Sequence, residues 1–249
     1  MKAMILAAGE GTRLRPLTLK KPKALAELRG FPLLNIVINR LARQGFTEII
    51  VNTNHLANQI VDFIDSYQKK SQNKHLRLAV SHEEQLLDTG GGVQKASWFF
   101  DDGEPFLVHN VDIMTDLDLN QLMLVHRKSN SLATLAVKKR SSNRQLLFNK
   151  SGRLCGWQSL APKNTRMAKP IKGSVISLSF MGVQIMSPHL LDLIQLTPPF
   201  SLVDLYLKLT TAGHCIQNYR GDKYKWIDLG RIEHFETAAH LFNQDFFSQ

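Results

Sequence analysis

The residues best suited to chemistry stand at the start of the chain, in Met4-Ile5-Leu6-Ala7-Ala8-Gly9-Glu10-Gly11-Thr12-Arg13-Leu14-Arg15-Pro16-Leu17-Thr18. A short apolar run stops at two glycines and gives way to hydroxyl and guanidinium groups. Glycine lets a backbone approach a ligand closely and adopt positive φ. Successive backbone N–H groups in such a turn form a concave anion site. Arg13 and Arg15 add charge that does not titrate away, with donors in a fixed fork matched to phosphate oxygens. Lys20, Lys21 and Lys23 follow around Pro22. The chemistry on offer is the holding of phosphate groups. Neither G-x-x-x-x-G-K-[ST] nor G-x-G-x-x-G is present, so the P-loop and dinucleotide fingerprints both fail. Taken alone, an ordinary turn between strand and helix with two exposed arginines has the same composition.

Three later stretches add to this set. Glu83-Glu84-Gln85-Leu86-Leu87-Asp88-Thr89-Gly90-Gly91-Gly92 ends in a glycine triplet, which is either a flexible turn or backbone packed against a flat base or sugar. Asp112 follows the apolar run Pro105 to Val108, where an isolated carboxylate costs several kcal/mol unless it is paired or metal-bound. Asp116 and Asp118 nearby read as helix-start carboxylates, and His109 as a structural histidine. Asp228 lies in Lys225-Trp226-Ile227-Asp228-Leu229-Gly230-Arg231 near the end of the chain. No Ser/His/Asp or Cys/His constellation accompanies them. Cys155 and Cys215 lie far apart and form no metal spacing, which fits a reduced, cytoplasmic setting.

These residues need strands to deliver them. Met4 to Leu6 and Glu48 to Asn52 read as buried parallel strands, and Leu76 to Ser81 as a third. Leu33 to Gln44 and Asn58 to Tyr67 carry apolar residues at helical spacing, and Gly45 closes the first of these. Strand and helix alternate as in a parallel doubly wound sheet, whose ligand site lies beyond the carboxyl ends of the strands. A helix from Val93 to Phe100, opened by the glycine triplet, comes next. Ser131 to Val137, Gln145 to Phe148, Gly152 to Trp157 and Ile176 to Met186 read as further strands. Helices are expected at His189 to Leu196, with Pro188 in the first turn, at Ser201 to Ala212, with Ser201 as cap, and at Ile232 to Gln244.

The 249 residues are 43% hydrophobic and 21% charged, enough for a sizeable core and against disorder. No apolar run approaches the ~20 residues a membrane helix needs, and no signal-peptide pattern follows Met1-Lys2. The net charge of +10 is dispersed and comes with no RNP or zinc motif, so a polyanionic small substrate accounts for part of it without nucleic acid.

The pattern L-A-A-G-x-G-T-R-L-x-P-L-T followed by P-K resembles the signature of the sugar-1-phosphate nucleotidyltransferases. The T-G-G-G form is nearest to the N-acetylmuramate-1-phosphate uridylyltransferases and their relatives, and the chain as a whole resembles these and mannose-1-phosphate guanylyltransferase-like members. The resemblance implies that Leu6, Ala7, Ala8, Gly9, Gly11 and Thr12 wrap the nucleotide phosphates. Arg13 would hold the departing pyrophosphate and Lys23 the reacting phosphates. Glu83, Thr89, Gly90 and Gly91 would line the nucleotide pocket. Asn110 and Asp112 match the family's N-G-D, with Val111 in place of glycine. Asp112 would bind Mg²⁺, with Asp228 of W-x-D-x-G as second metal ligand and Arg231 where threonine is commoner. Gly182 resembles the sugar-pocket glycine, so Asn110 and Gly182 are the substrate-binding expectations. The family's E-K-P lysine has no match. Ala168-Lys169-Pro170 is an echo of it, leaving Lys169 and Lys172 as candidates for the sugar phosphate.

The expectation is one α/β domain over 1–249, Rossmann-like and doubly wound, with a mostly parallel mixed sheet of the nucleotide-diphospho-sugar transferase fold. Residues 1–125 form the nucleotide-binding half and 126–249 the sugar-phosphate-binding half, with no C-terminal β-helix. The implied activity joins a nucleoside triphosphate, UTP or GTP favoured, to a sugar 1-phosphate with Mg²⁺, in cytoplasmic nucleotide-sugar synthesis for the cell envelope. No nucleic-acid or membrane partner is expected, and the chain is a monomer or homodimer. Two alternatives stay open: a cytidylyltransferase acting on phosphocholine or another non-sugar phosphate, and a catalytically silent nucleotide-binding regulatory subunit. The sequence leaves base and sugar open, since Glu83 matches guanine N1 and N2 whereas T-G-G-G leans towards uridine.

Overall fold

The computed structural model describes residues 1–169 and 173–247. Its elements run in chain order from strand β1 (Lys2–Leu6) through the short ribbon β2 (Glu27–Leu28) and β3 (Phe31–Pro32) to helix α1 (Leu33–Arg43). Then come β4 (Glu48–Thr53), α2 (Ala57–Gln68), β5 (Arg77–His82) and α3 (Asp88–Lys95). The middle of the chain holds β6 (Phe106–Asn110), β7 (Ile113–Thr115), α4 (Leu119–Lys128), β8 (Ala133–Lys138), β9 (Arg144–Phe148), β10 (Leu154–Leu160) and β11 (Lys163–Met167). The last third holds β12 (Ile176–Met186), α5 (His189–Asp192), α6 (Leu202–Thr211), β13 (Ile216–Arg220), β14 (Trp226–Asp228), α7 (Glu233–Leu241) and α8 (Gln244–Phe247). The α/β class expected from the alternation is borne out.

Two compact units are woven from discontinuous segments. The first comprises Met1–Leu87, Val108–Leu117 and Lys225–Gln249, the second Asp88–Leu107 and Asp118–Tyr224. In the first unit β1, β4 and β5 pair in parallel, with Leu6 opposite Asn52 and Asn52 opposite Ser81. The Val108–Asn110 end of β6 lies on the far side of β1. β1 and β4 are buried almost throughout, as parallel strands covered on both faces must be. Helix α1 turns Leu33, Ile36, Val37 and Leu41 into the core. Each such side chain contributes roughly 1.5–3 kcal/mol by leaving water. A separate ribbon pairs β7 with β14 antiparallel, placing Asp228 opposite Ile113.

The second unit is more antiparallel. β12 pairs with β8 and with β9, β10 lies between β9 and β11, and β13 joins β8 in parallel. The β12–β8 register shifts between Phe180 and Gln184, and Gly182 sits within that bulge at φ 75°. The expected Ser201 cap is present as a capping box: Ser201 Oγ accepts from the Asp204 amide at 3.1 Å, and the Ser201 amide donates back to Asp204. Asp118 caps α4 by accepting from the Gln121 amide at 2.9 Å.

Three boundaries differ from expectation. The glycine triplet does not open α3 but lies inside it, and Ser97–Phe99 is a separate 3-10 turn. The amides of Gly90 and Gly91 donate to the Phe200 carbonyl at 2.9 and 3.3 Å. Tertiary packing there overrides glycine's poor helix propensity. The helix at His189 stops after one turn, at Asp192. The last helix breaks between Leu241 and Gln244. No described helix is long and apolar enough to cross a membrane.

Candidate active site

The first unit gathers most of the residues singled out above. At the end of β1 the chain turns through Ala7 and Ala8, both buried, into Gly9, which is exposed. Gly11 has φ 65°, the left-handed region where glycine carries no Cβ penalty. A Cβ on Gly11 would also lie 2.9 Å from Thr18 Cγ2 and 3.1 Å from Lys23 Cβ. The loop therefore closes on the stem of Lys23. Thr18 Oγ1 donates to the Gly11 carbonyl at 2.9 Å, and the Leu14 amide donates to the same carbonyl at 2.8 Å. Thr12 and Arg13 are exposed. Arg15 pairs with Glu10 across the loop at 3.4 Å.

The two aspartates are joined through backbone. Asp112 immediately precedes β7 and Asp228 ends β14. The Leu229 amide donates to the Asp112 carbonyl at 2.8 Å, continuing the ribbon beyond the Asp228–Ile113 pair. Residues far apart in sequence thus occupy adjoining positions at one end of a two-stranded ribbon. Lys23 Nζ donates to Asp112 Oδ2 in an ion pair whose partners are only 12% and 15% exposed. Asp228 Oδ1 accepts from the Gly230 amide at 2.6 Å, and the His234 ring meets the Asp228 carbonyl at 2.5 Å.

Arg13 completes the cluster. A Cβ on Gly230 would lie 2.6 Å from Arg13 Nη2, 2.9 Å from its Cζ and 2.8 Å from Asp228 Oδ1. The guanidinium rests on the bare Cα of Gly230, beside the Asp228 carboxylate. Two carboxylates, an ammonium and a guanidinium border one loop of backbone amides. That arrangement is fitted to polyanions and to a hard cation with oxygen ligands. Among the described residues no three His, Cys, Asp or Glu side chains cluster as a protein-only metal cage. Magnesium suits a smaller donor set, because it keeps several waters and takes one or two carboxylates plus substrate phosphates.

Other expected residues fall differently. Glu83 is 1% exposed, and both its carboxylate oxygens accept hydrogen bonds from the protein, from Asn52 Nδ2 at 2.7 Å and the Leu87 amide at 3.0 Å. Asn110 ends β6 and is half-buried. Val111, in place of the family's glycine, buries its side chain and donates its amide to the Leu6 carbonyl at 3.1 Å. Arg231 is exposed and lies 3.7 Å from Glu233. Thr89, Gly90, Gly91 and Gly182 belong to the second unit. There Thr89 Oγ1 accepts from the Leu202 amide at 3.0 Å. Lys169 is exposed in a bend, and Lys172 lies outside the described residues. His109 is buried, its ring bonded to the Asn110 carbonyl at 2.8 Å, and burial pulls it down to about 4.

Sequence reasoning missed Asn52 and the seat that Gly230 gives Arg13. Asn52 was visible as the polar interruption of a buried run. Gly230 was visible only as the last letter of W-x-D-x-G.

Residues 2–146 match the family model described as nucleotidyl transferase, and the chain belongs to that family. Over 245 residues it is 33% identical to the N-acetylmuramate alpha-1-phosphate uridylyltransferase of Neisseria meningitidis serogroup B, covering 97% of this chain and 98% of that protein. Over 257 residues it is 30% identical to a UTP–glucose-1-phosphate uridylyltransferase of Synechocystis, covering 96% of this chain and 62% of that protein. The chain spans between 62% and 65% of the length of the longer curated relatives it matches. A solved UDP-glucose pyrophosphorylase from Acinetobacter baumanii aligns with a TM-score of 0.75 over 96% of this chain and 91% of that one, at 18% identity. That likeness establishes the fold.

Proposed function

We propose that this chain is a magnesium-dependent sugar-1-phosphate nucleotidyltransferase that takes UTP or GTP. The observation that carries the reading is the meeting of Asp112, Asp228, Lys23 and Arg13 at the end of the β7–β14 ribbon. The similarity to a uridylyltransferase over nearly its whole length makes UTP and N-acetylmuramate 1-phosphate the first pair to try.

The sugar phosphate is already an anion, so no general base has to create the nucleophile. Its oxygen forms a bond to the α-phosphorus of the triphosphate, the α–β bridging bond breaks, and pyrophosphate leaves with the electron pair. What the protein supplies is position and charge. Backbone amides from Ala8 to Thr12 hold triphosphate oxygens. Lys23 reaches the α-phosphate and the incoming phosphate. Arg13 bears on the leaving pyrophosphate, as cationic clamps do in phosphoryl transfer. Asp112 and Asp228 are the residues that would hold Mg²⁺, which when bound neutralises charge on the reacting phosphates. The family resemblance assigns Thr89, Gly90 and Gly91 to the base and ribose, and Asn110 and Gly182 to the sugar.

Incubation of the protein with UTP, N-acetylmuramate 1-phosphate and Mg²⁺ tests the pair. A UDP-sugar with one equivalent of pyrophosphate, detected by mass spectrometry, supports it. Product from a different nucleotide and sugar phosphate keeps the reaction and corrects the substrates.

A further inference from the structure

Glu83 lies where the family resemblance puts a base-contacting carboxylate, yet its side chain points into the protein and its hydrogen bonds form a continuous chain. The Ala7 amide donates to Asn52 Oδ1 at 2.7 Å. Asn52 Nδ2 donates to Glu83 Oε1 at 2.7 Å, and the Leu87 amide donates to Glu83 Oε2 at 3.0 Å. Asn52 and Glu83 are 3% and 1% exposed, so neither has water as a substitute partner. The Glu83 backbone is held as well: its amide donates to the Thr53 carbonyl at 2.7 Å, and Asn54 Nδ2 donates to its carbonyl at 2.9 Å.

The order of donors admits one solution. A carboxylate only accepts, whereas an amide side chain has one acceptor and one donor group. Two N–H groups, from Leu87 and Asn52, converge on Glu83. That leaves the Asn52 oxygen for Ala7, the first residue of the phosphate loop beyond β1. A buried backbone N–H left unpaired is costly, so the relay fixes where the loop leaves the sheet. Its other end fixes Leu87, directly before Asp88-Thr89-Gly90-Gly91.

We propose that Asn52 and Glu83 are positioning residues, which set the phosphate loop and Leu87 together, and that Glu83 acts on the nucleotide through backbone rather than by touching the base. The significance of this for nucleotide binding rests on the reading of the loop given above. The relay itself can be tested apart from catalysis.

The test reverses the polarity of the relay. Glu83→Gln alone turns an NH₂ towards either the Asn52 NH₂ or the Leu87 amide, donor against donor. Asn52→Asp alone sets two buried carboxylates side by side, which repel until one takes up a proton, so the variants are compared at a pH high enough to keep both ionised. Together the two changes restore every bond: the new carboxylate accepts from Ala7 and from the new amide, whose oxygen accepts from Leu87. The net charge of the pair is also unchanged.

Amide hydrogen exchange at Ala7 and Leu87, read by NMR, is the first measurement. Each single variant should speed exchange at Ala7 or at Leu87 by about tenfold or more, equivalent to about 1.4 kcal/mol. The double variant should return within roughly threefold of wild type, the recovery a double-mutant cycle reports for coupled neighbours. With whichever substrate pair the wild type turns over, the singles should raise the nucleotide KM about tenfold and leave the sugar-phosphate KM alone, and the double should recover, as loss of uniform nucleotide binding requires. Unchanged exchange at both Ala7 and Leu87 in Glu83→Gln, or a double variant as impaired as both singles combined, overturns the proposal. So does a changed base preference in Glu83→Gln with wild-type exchange, which would make Glu83 a direct base contact. Should the singles fail to fold, a folded double variant supports the relay and an unfolded one refutes it. Absence of turnover with every substrate in the wild type would sink the proposed reaction while the exchange result still decides the relay.

Discussion

Gly230→Ala crowds the seat of Arg13 with one methyl group. No positive φ is required at Gly230, so the backbone accepts alanine. The new Cβ would stand 2.6 Å from Arg13 Nη2 and 2.8 Å from Asp228 Oδ1. Restoring ordinary carbon contact moves the guanidinium by roughly 1 Å, and a displacement of that size in a positioning group costs about 10²-fold in rate. That equals about 2.7 kcal/mol of transition-state stabilisation. The stability cost is small, because the displaced group is the far end of an exposed side chain, and Gly→Ala at a compatible site returns about 0.4–1 kcal/mol through the unfolded state. For a chain of this length the melting temperature should then move by no more than about 2–4 °C. Steady-state pyrophosphate release and a thermal melt on the same preparation measure both. The cycle with Arg13→Ala supplies the control. If the methyl acts by displacing Arg13, Gly230→Ala should cost less than roughly threefold in the Arg13→Ala background, the non-additivity expected of residues in contact. Full activity in Gly230→Ala would refute the placement of Arg13, whereas additive losses in the double variant would assign the effect to the crowded Asp228 carboxylate.

Asp112→Asn should keep the fold and lower turnover about 10²-fold or more, the scale of losing one electrostatic stabiliser; unchanged turnover would remove Asp112 from the reaction. Gly90→Ala should destabilise by about 1–3 kcal/mol through overpacking, because its Cβ would strike the Phe200 ring and lie 2.9 Å from the Phe200 carbonyl. A melt at or above wild type would contradict the packing of α3. Burial holds His109 and His126 at about 4, well below the ordinary 6.5. Between those values the unfolded chain binds more protons than the folded one, so stability falls as pH drops below about 6.5 and the histidine contribution levels off near 4. The full loss is on the order of 3 kcal/mol per histidine. Urea unfolding between about pH 7 and 5 reads the upper part of this, and a flat curve there contradicts it.

The first unit was the legible part of the chain. β1, α1, β4, α2 and β5 fall within a residue or two of expectation, since buried parallel strands and one-sided helices leave strong periodic signals. The second unit was harder. β11 reads Lys163-Asn164-Thr165-Arg166-Met167 with every side chain exposed, so no apolar alternation marks it as a strand. The start of α3 was hidden because Gly90 is there for close contact with Phe200, a partner far away in sequence. The aspartates were legible as motif letters, but their joining through the Leu229–Asp112 bond depends on a ribbon that local pattern does not specify. At Glu83 residue type and motif context point to a ligand contact, and its buried partner Asn52 appears only once β4 and β5 are paired.

The most direct test of the central claim is pyrophosphate release measured across ATP, CTP, GTP, UTP and dTTP, each crossed with N-acetylmuramate, glucose, N-acetylglucosamine, mannose and heptose 1-phosphates, with and without Mg²⁺. The account predicts one strong pair with UTP or GTP, dependent on Mg²⁺ and lost in Asp112→Asn. Nucleotide binding with no pyrophosphate release from any pair would contradict it.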